Sequence, residues 1–539
     1  MGLPGNLKFI LIPILLIGII GLIFYPVLSF GFVNWDDHSM ILENHRIRKF
    51  SVENIQWMFT SNAVQGNYQP ITWLCYTLGS IGTDSYQASR FHALNLVFHL
   101  LNVFLIYSLL RKTGSSLFPA FGLALLFGVH PLRIESVAWI SDLKDVVLCF
   151  FLLVSIYSWI QFLLTGRYVW SILTLVTFLL ALGSKASAGV FPLLCIQATY
   201  VWGKEGSLSE NIWSKFRRYP MLIGLLGIGG IFAFVGYNAQ LTEGGMRLQL
   251  FSGPDQAWYS FYQRPFSIIG FYVGKLFWPY PMVNYYQNFE WRTALNPIWT
   301  GLGIIGGLGM GYMFFFRPFK DPRIYWGLIW TMVFLFPYLQ WIQLGGTMVA
   351  DRYTYVSLWG LAWVGAPMLE YGWNKFRNIS VGLCVFIFFA WGGSTWVQLP
   401  VWKDSISLWS HAAKVYPGCI RSRLSLAKAY FRLHQYQEFE NICVSGRLDF
   451  PADPNFVIGQ AIALIQTGKM ETAISILTQH LQLFPKVYEF RYYLALAFWK
   501  ARRYDLAVSE YRKIYPRLRR GKPEIIRFWS LPGIEFPNP

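Results

Sequence analysis

The segment Asn34-Trp35-Asp36-Asp37-His38 follows directly on the first long apolar run and sets two carboxylates side by side. Such a pair could act as a general base, an Asp taking the proton from an attacking hydroxyl, or could ligate a divalent cation such as Mg or Mn. An equally good reading is a helix cap, with Asp37 ahead of Ser39-Met40-Ile41-Leu42. A second polar concentration runs His130-Pro131-Leu132-Arg133-Ile134-Glu135, then Trp139, Asp142, Lys144 and Asp145, between two apolar stretches. Any one of these charges is better read as an ordinary membrane-surface group; together they form a place where a charged ligand sits. Two isolated cations complete the set: Lys185 within Gly183-Ser184-Lys185-Ala186-Ser187, and Arg352 within Ala350-Asp351-Arg352-Tyr353-Thr354-Tyr355, after Gly345-Gly346. A lone Lys or Arg near a helix end usually snorkels to the interface. A phosphate would give both a further use, and the arginine fork binds two of its oxygens at once.

The elements that must position these groups are hydrophobic. Of the 539 residues, 54% are apolar, 19% aromatic and 13% charged, and the mean hydropathy is +0.38. Soluble domains carry about twice that share of charge, so the chain is a membrane protein. Disorder, collagen and a disulfide scaffold are excluded by the apolar fraction, the lack of a Gly-X-Y period and six scattered cysteines. Apolar runs lie near 7–28, 91–110, 117–130, 145–164, 169–183, 187–202, 220–237, 262–280, 297–316, 324–341, 354–370 and 379–398, and none follows residue 400. The first is too long for a signal peptide and ends in Tyr25-Pro26 instead of a small-residue cleavage site, so it reads as a retained span.

Lys and Arg beside membrane spans stay cytoplasmic. The short basic connectors are Arg111-Lys112, Arg167, the segment with Lys204, Lys215, Arg217 and Arg218, then Arg317, Lys320 and Arg323, and finally Lys375 with Arg377. All fall inside if the N-terminus is cytoplasmic and the stretch from Tyr262 to Pro281 is re-entrant or interfacial; the alternative is a twelfth span. That expectation gives about eleven spans and puts the region after 400 outside. Amphipathic pieces at 51–59 and 70–78 are expected along the interface beside the site. The formal charge of +18 then divides into about half at the cytoplasmic loops and about half on the tail, which excludes a nucleic-acid signature.

In that tail Tyr416-Pro417, Phe450-Pro451 and Phe484-Pro485 recur every 34 residues, and Ala427, Ala461 and Ala495 keep the same register. Thirty-four is the tetratricopeptide period, and about three such repeats make a small stack whose concave face holds a peptide or a partner helix.

The ordered motifs Asn34-Trp35-Asp36-Asp37, Asn67-Tyr68-Gln69-Pro70-Ile71-Thr72-Trp73-Leu74, Phe91-His92-Ala93-Leu94-Asn95 with His99, His130-Pro131 to Trp139, Lys144-Asp145, Ser184-Lys185 and Asp351-Arg352-Tyr353-Thr354-Tyr355 resemble bacterial multi-spanning proteins with C-terminal tetratricopeptide repeats. These are similar to the eukaryotic transmembrane and tetratricopeptide-repeat-containing O-mannosyltransferases. The resemblance implies an all-α, polytopic GT-C glycosyltransferase fold over 1–400, with 31–90 as the first extracytoplasmic loop, a repeat domain over 401–520 and a tail over 521–539. It implies transfer of a sugar, mannose above all, from a polyprenyl-phosphate carrier to a hydroxyl of a protein or peptide presented by the repeats, with inversion, on the periplasmic or lumenal face. By the same analogy Asp36 or Asp37 is the catalytic acid or base and the only metal-ligand candidate. Lys185, Arg352, Arg133 and Lys144 would neutralise the donor phosphate, and His130, Glu135, Asp145, Tyr355 and His92 would support them. The chain departs from relatives with long repeat arrays, and many relatives carry Arg or His where Gln69 stands, which leaves the acceptor open. Two other classes remain: a membrane-anchored scaffold or assembly factor, and a ligase or flippase for lipid-linked oligosaccharides.

Overall fold

A computed structural model describes residues 5–61, 66, 68–82, 85–203, 212–242, 257–287, 296–341 and 347–518. Lys204, Gly345-Gly346 and the tail 521–539 lie outside them. The described residues contain helices and no strand, and the chain divides into two compact units, 1–404 and 405–539.

The first unit begins with α1 (Gly5–Phe24), α2 (Val52–Thr60), α3 (Pro70–Ser80), α4 (Ala88–Lys112), α5 (Leu117–Val129), α6 (Ile134–Ala138) and α7 (Leu143–Thr165). It continues with α8 (Tyr168–Leu182), α9 (Phe191–Trp202), α10 (Ile212–Arg218), α11 (Met221–Thr242) and α12 (Ala257–Phe277). It closes with α13 (Pro297–Phe316), α14 (Pro322–Leu335), α15 (Gly360–Lys375) and α16 (Arg377–Gln398). Among the described residues five helical stretches are long and apolar enough to cross a membrane: Leu11–Ser29, Ala88–Lys112, Ile140–Thr165, Pro297–Phe316 and Arg377–Trp402. Two bent pairs, broken by 61° after α5 and by 100° between α10 and α11, bring the count to seven. Each break falls at a proline, Pro131 and Pro220, which cannot supply the N–H that a continuous helix needs. The other expected spans are shorter. The 14 residues of α14 extend about 21 Å, against about 30 Å of hydrocarbon. Short turns of 3-10 helix continue several of them, at Phe336–Tyr338 after α14 and at Ala186–Val190 before α9.

The two ends of this unit differ. At one end Arg323 forks between Asp321 (2.7 Å) and Glu370 (2.6 Å) and also donates to Ser115 Oγ, while Arg111 donates to the Ser115 carbonyl. Two of the basic connectors, at Arg111 and Arg323, therefore meet there, and Glu370 also accepts the Ser116 N–H. At the other end lie the first loop, the break after α5, Lys185 and the Asp351-Arg352 segment. The backbone N–H of Gly31 donates to the Lys403 carbonyl at 2.9 Å, so the exit from the last helix sits beside the start of the first loop.

The stretch over 262–281 is α12, packed antiparallel on α13. Gly270 and Gly303 permit the contact: a Cβ on Gly303 would stand 1.7 Å from the Phe266 carbonyl oxygen, and one on Gly270 1.8 Å from that of Trp299. The distal half of α11 lies on the 3-10 turn after Lys185, where Gly236 meets Ala186 and Gly229 meets Gly189. The far end of α12 returns to the same end, its Leu276 carbonyl meeting His130 Nε2 at 3.0 Å. The distal half of α11 and the end of α12 thus both lie at the site end.

Of the two first-loop helices, α3 differs from the interfacial piece expected, while α2 keeps Val52, Ile55 and Phe59 exposed. Ser51 caps α2, accepting from Asn54 N–H at 3.2 Å. Helix α3 is mostly buried rather than spread on a surface, and Trp73 and Tyr76 are 1% exposed. It is clamped to the site loops by Ile71 N–H on the Gly183 carbonyl, Thr72 Oγ1 on Ser184 and Tyr76 Oη on Ile140.

The second unit is a run of helical hairpins. Helices Ile420–Arg432, Pro454–Gln466 and Tyr488–Lys500 repeat every 34 residues, and Tyr436–Asp449, Met470–Leu483 and Tyr504–Leu518 follow them. The turns repeat too: His434, Gly468 and Arg502 all adopt positive φ, and the N–H of Gln435, Lys469 and Arg503 each reaches a carbonyl five residues back. Three equivalent left-handed turns, only one of them glycine, show that the period is structural. Ala427, Ala461 and Ala495 are fully buried at the helix crossings.

Candidate active site

One face of α4 organises the site. His92, Asn95, His99 and Asn102 follow one another at intervals of three and four, which aligns them on a single stripe, and all are buried. Polar groups inside an apolar bundle need partners, and these find them in backbone freed by the broken helix. Asn95 Nδ2 donates to the carbonyls of Ser136 (3.2 Å) and Trp139 (2.8 Å), and Asn102 Nδ2 donates to that of Val146 (2.9 Å). His99 joins the Gly128 carbonyl (3.0 Å) to Tyr355 Oη (2.7 Å). The stripe therefore holds the broken helical course of 131–146 in place.

Against that segment lies the carboxylate pair. Asp37 Oδ2 accepts from Val33 N–H at 2.8 Å, while Oδ1 accepts from Ser141 N–H at 3.2 Å and from Ser141 Oγ at 2.5 Å. Asp37 stands at the start of the turn His38–Leu42 but makes no side-chain cap. Its role is to tie the first loop to 139–142. Burial pushes its carboxyl up to about 7, against the downward pull of Ser141 and Val33. Asp36 is half-buried, and its neighbour Trp35 sets an edge on Trp139, ring centroids 6.2 Å apart. Asp37 thus bolts the loop in place.

The cations surround Trp139. The Arg352 guanidinium lies 5.2 Å and the Lys144 ammonium 5.9 Å from its ring, and Trp402 stacks on it at 6.0 Å. Glu135 grips Arg352 twice, Oε2 accepting the backbone N–H at 2.8 Å and Oε1 meeting Nη1. Lys185 Nζ bonds Asp145 Oδ1 at 2.6 Å and sits 5.2 Å from the ring of Tyr338, which stacks on Tyr353 at 4.4 Å. Burial opposes the charge on Lys185 and on Arg352, but the carboxylates of Asp145 and Glu135 hold each above its usual range. Asp145, Ser187, Tyr338, Arg352 and Tyr353 line a small cleft whose other wall is Leu148, Phe334 and Val356. One wall of the cleft is polar, with Arg352 on it and Lys185 bonded to its Asp145, and the other is apolar.

The structure thus brings together Lys185, Arg352, Lys144, Glu135 and Asp145, with Asp36 and Asp37 on the same loop system. Four expected residues stand apart. Arg133 is fully buried and donates to the carbonyls of Phe127 (3.2 Å), Thr354 and Tyr355 (both 3.0 Å), so it is a backbone clip. His130 bridges Leu132 N–H and the Leu276 carbonyl, His92 approaches the Gly31 carbonyl at 3.4 Å, and Tyr355 serves His99 and Asn102. Sequence reasoning missed Asn95 and Asn102, whose spacing was visible, and Ser141, Tyr338 and Asp351, whose partners lie far away in sequence. Asp351 accepts from Tyr286 Oη at 2.8 Å and so fixes the end of 276–287.

Among the described residues no three His, Cys, Asp or Glu side chains cluster as metal ligands do. Both oxygens of Asp37 accept from N–H or O–H donors.

Residues 58–234, about a third of the chain, match the family model of dolichyl-phosphate-mannose-protein mannosyltransferases. No curated protein and no solved structure matches. The matched stretch runs from α2 into α11 and includes the broken helix, Glu135, Lys144, Asp145 and Lys185, with Asp36, Asp37 and Arg352 beyond its ends. Over that third of the chain the protein is therefore similar to dolichyl-phosphate-mannose-protein mannosyltransferases, and this similarity, with its apolar helices, supports a membrane glycosyltransferase of that type.

Proposed function

We propose that the chain moves mannose from a polyprenyl-phosphate carrier to a hydroxyl of a polypeptide acceptor. The observation that carries this reading is the division of labour at the site: Asp37 is sequestered by Val33 and Ser141 next to a half-buried Asp36, while Arg352 lines a cleft with an apolar wall and Lys185 is bonded to the Asp145 of that cleft. Asp36 takes the proton of the acceptor hydroxyl as its oxygen attacks the anomeric carbon. The bond from that carbon to the phosphate oxygen breaks, its electron pair stays on the phosphate, and the sugar inverts. Lys185 and Arg352 meet the charge that develops there, with Lys144 nearby, and such preorganised charge is usually the largest catalytic term. No step runs through a metal ion.

The basic connectors mark the cytoplasmic end, so the site and the exit at Lys403 face outward, periplasmic or lumenal, with the N-terminus inside. The hairpin unit then lies on the acceptor's side, and its period supports a tetratricopeptide module that presents the polypeptide. Purified full-length protein in bilayer nanodiscs, given polyprenyl-phosphate mannose and Ser/Thr-containing peptides, is expected to yield mannosyl-peptide. Absence of transfer to every acceptor class would leave a scaffold that anchors its repeats.

A further inference from the structure

Lys185 and Arg352 are each occupied in this structure by a carboxylate of the chain. Lys185 bonds Asp145, and Arg352 is held by Glu135. The two arrangements differ in what the carboxylate could do next. Glu135 also accepts the backbone N–H of Arg352, so leaving the guanidinium would cost it a second bond. Asp145 has no such tie: its Oδ2 meets no N–H or O–H donor, and the carboxyl beside it is that of Asp142.

Asp142 itself is unusual. It is 0% exposed, and no N–H or O–H of another residue reaches either of its oxygens. The groups around it are Asp145, Lys185, Arg352 and Lys144, and none of the three cations forms an ion pair with it. An ionised carboxylate in that position would be buried without a hydrogen bond and next to a second negative charge, which is strongly unfavourable. A carboxyl that keeps its proton can instead donate to Asp145 once that side chain turns toward it.

We propose, resting on the donor chemistry given above, that Asp145 is a stand-in for the donor phosphate on Lys185, and that Asp142 is the protonated carboxyl that receives Asp145 when the phosphate displaces it. Before donor binds, Asp145 neutralises a buried ammonium that would otherwise be costly. When the lipid phosphate enters the cleft it takes the ammonium, and Asp145 turns to accept the Asp142 O–H. No bond is made or broken beyond these hydrogen bonds, and the proton stays on Asp142. Both residues are positioning residues: they set how readily Lys185 changes partners. The arrangement also sets a pH dependence. If Asp142 loses its proton, the phosphate competes with two carboxylates and Asp145 has nowhere to go.

The test is binding of undecaprenyl monophosphate, without sugar, to the full chain in detergent across pH 6 to 9. Asp145→Asn is expected to bind about tenfold more tightly than wild type at pH 7, because the competing carboxylate is gone. Asp142→Asn presents a permanent N–H donor to Asp145, so it is expected to match wild type at low pH and to exceed it at high pH, where wild-type affinity falls. The two proteins see the same ionisation of the probe, so the difference belongs to the carboxyl. Unchanged or weaker binding by Asp145→Asn, or parallel pH profiles for wild type and Asp142→Asn, overturns the proposal while leaving the transferase reading intact. A wild type that binds no undecaprenyl phosphate overturns both. If Asp145→Asn does not fold, the pair of pH profiles still decides.

Discussion

Replacing Ser141 by alanine removes one hydrogen bond and tests how the site is held. The Ser141 hydroxyl donates to Asp37 Oδ1 at 2.5 Å, and Ser141 is 1% exposed. A hydrogen bond to a charged acceptor contributes about 1.5–3 kcal/mol, and no water replaces the lost donor at so buried a position. The N–H groups of Val33 and Ser141 remain, so Ser141→Ala is expected to destabilise the folded chain by about 2 kcal/mol at pH 8, where Asp37 is ionised. At pH 5, where Asp37 is protonated, the bond joins neutral groups and the loss is expected to be about half as large. The assay is unfolding in detergent followed by labelling of Cys75, Cys149 and Cys195, free thiols buried in the membrane unit. A double-mutant cycle with Asp37→Asn isolates the pair, and the expected coupling is about 1.5 kcal/mol or more. Transfer should slow because Asp36 shares the loop, while the KM for donor should hold because Lys185 and Arg352 keep their partners. Coupling below about 0.5 kcal/mol, or equal loss at both pH values, would show that Asp37 does not bolt the loop.

Other outcomes follow from the same contacts. The Asp37 carboxyl rises from 3.8 to about 7 on folding, so its contribution to stability is complete below pH 4 and is lost as the pH climbs to about 7. That loss, about 4 kcal/mol by linkage, should vanish from the pH–stability difference when wild type is compared with Asp37→Asn. Gly303→Ala drives a Cβ to 1.7 Å from the Phe266 carbonyl oxygen and is expected to cost about 3 kcal/mol or more, whereas Gly306→Ala, whose Cβ meets its nearest neighbour at 3.7 Å, should be near neutral; equal melting temperatures for the two would refute the α12–α13 contact. Tyr355→Phe strands His99 Nδ1 and takes a partner from Asn102, so a loss of about 1–3 kcal/mol is expected in the same unfolding assay.

Much of this organisation is legible in the residues. Apolar runs and basic connectors give the two ends of the membrane unit, because both depend on local composition and a bilayer of fixed thickness. The 34-residue period gives the hairpin unit, because each hairpin packs only on its neighbours. The lengths of the spans are harder to read: α14 ends at Leu335 because Pro337 follows, and the apolar residues beyond continue as an irregular path toward Tyr338. Within the site, charge type identifies Lys185 and Arg352 but does not reveal that Asp145 and Glu135 hold them, since those partners lie 40 and 217 residues away. Arg133 illustrates the opposite problem. Its sequence neighbours make it look like a member of the polar cluster, yet its donors turn to Phe127, Thr354 and Tyr355, where broken helices leave carbonyls unpaired. The choice between Asp36 and Asp37 also depends on distant residues, for the Ser141 that ties Asp37 down lies 104 residues away.

That choice is the central claim, and single-turnover transfer from polyprenyl-phosphate mannose with Asp36→Asn and Asp37→Asn tests it most directly. Asp36→Asn is expected to bind donor as wild type does and to transfer mannose on the order of a thousandfold more slowly, the loss of a general base. Asp37→Asn, where folded, is expected to lose far less. A folded Asp36→Asn protein that transfers mannose at the wild-type rate would contradict the account.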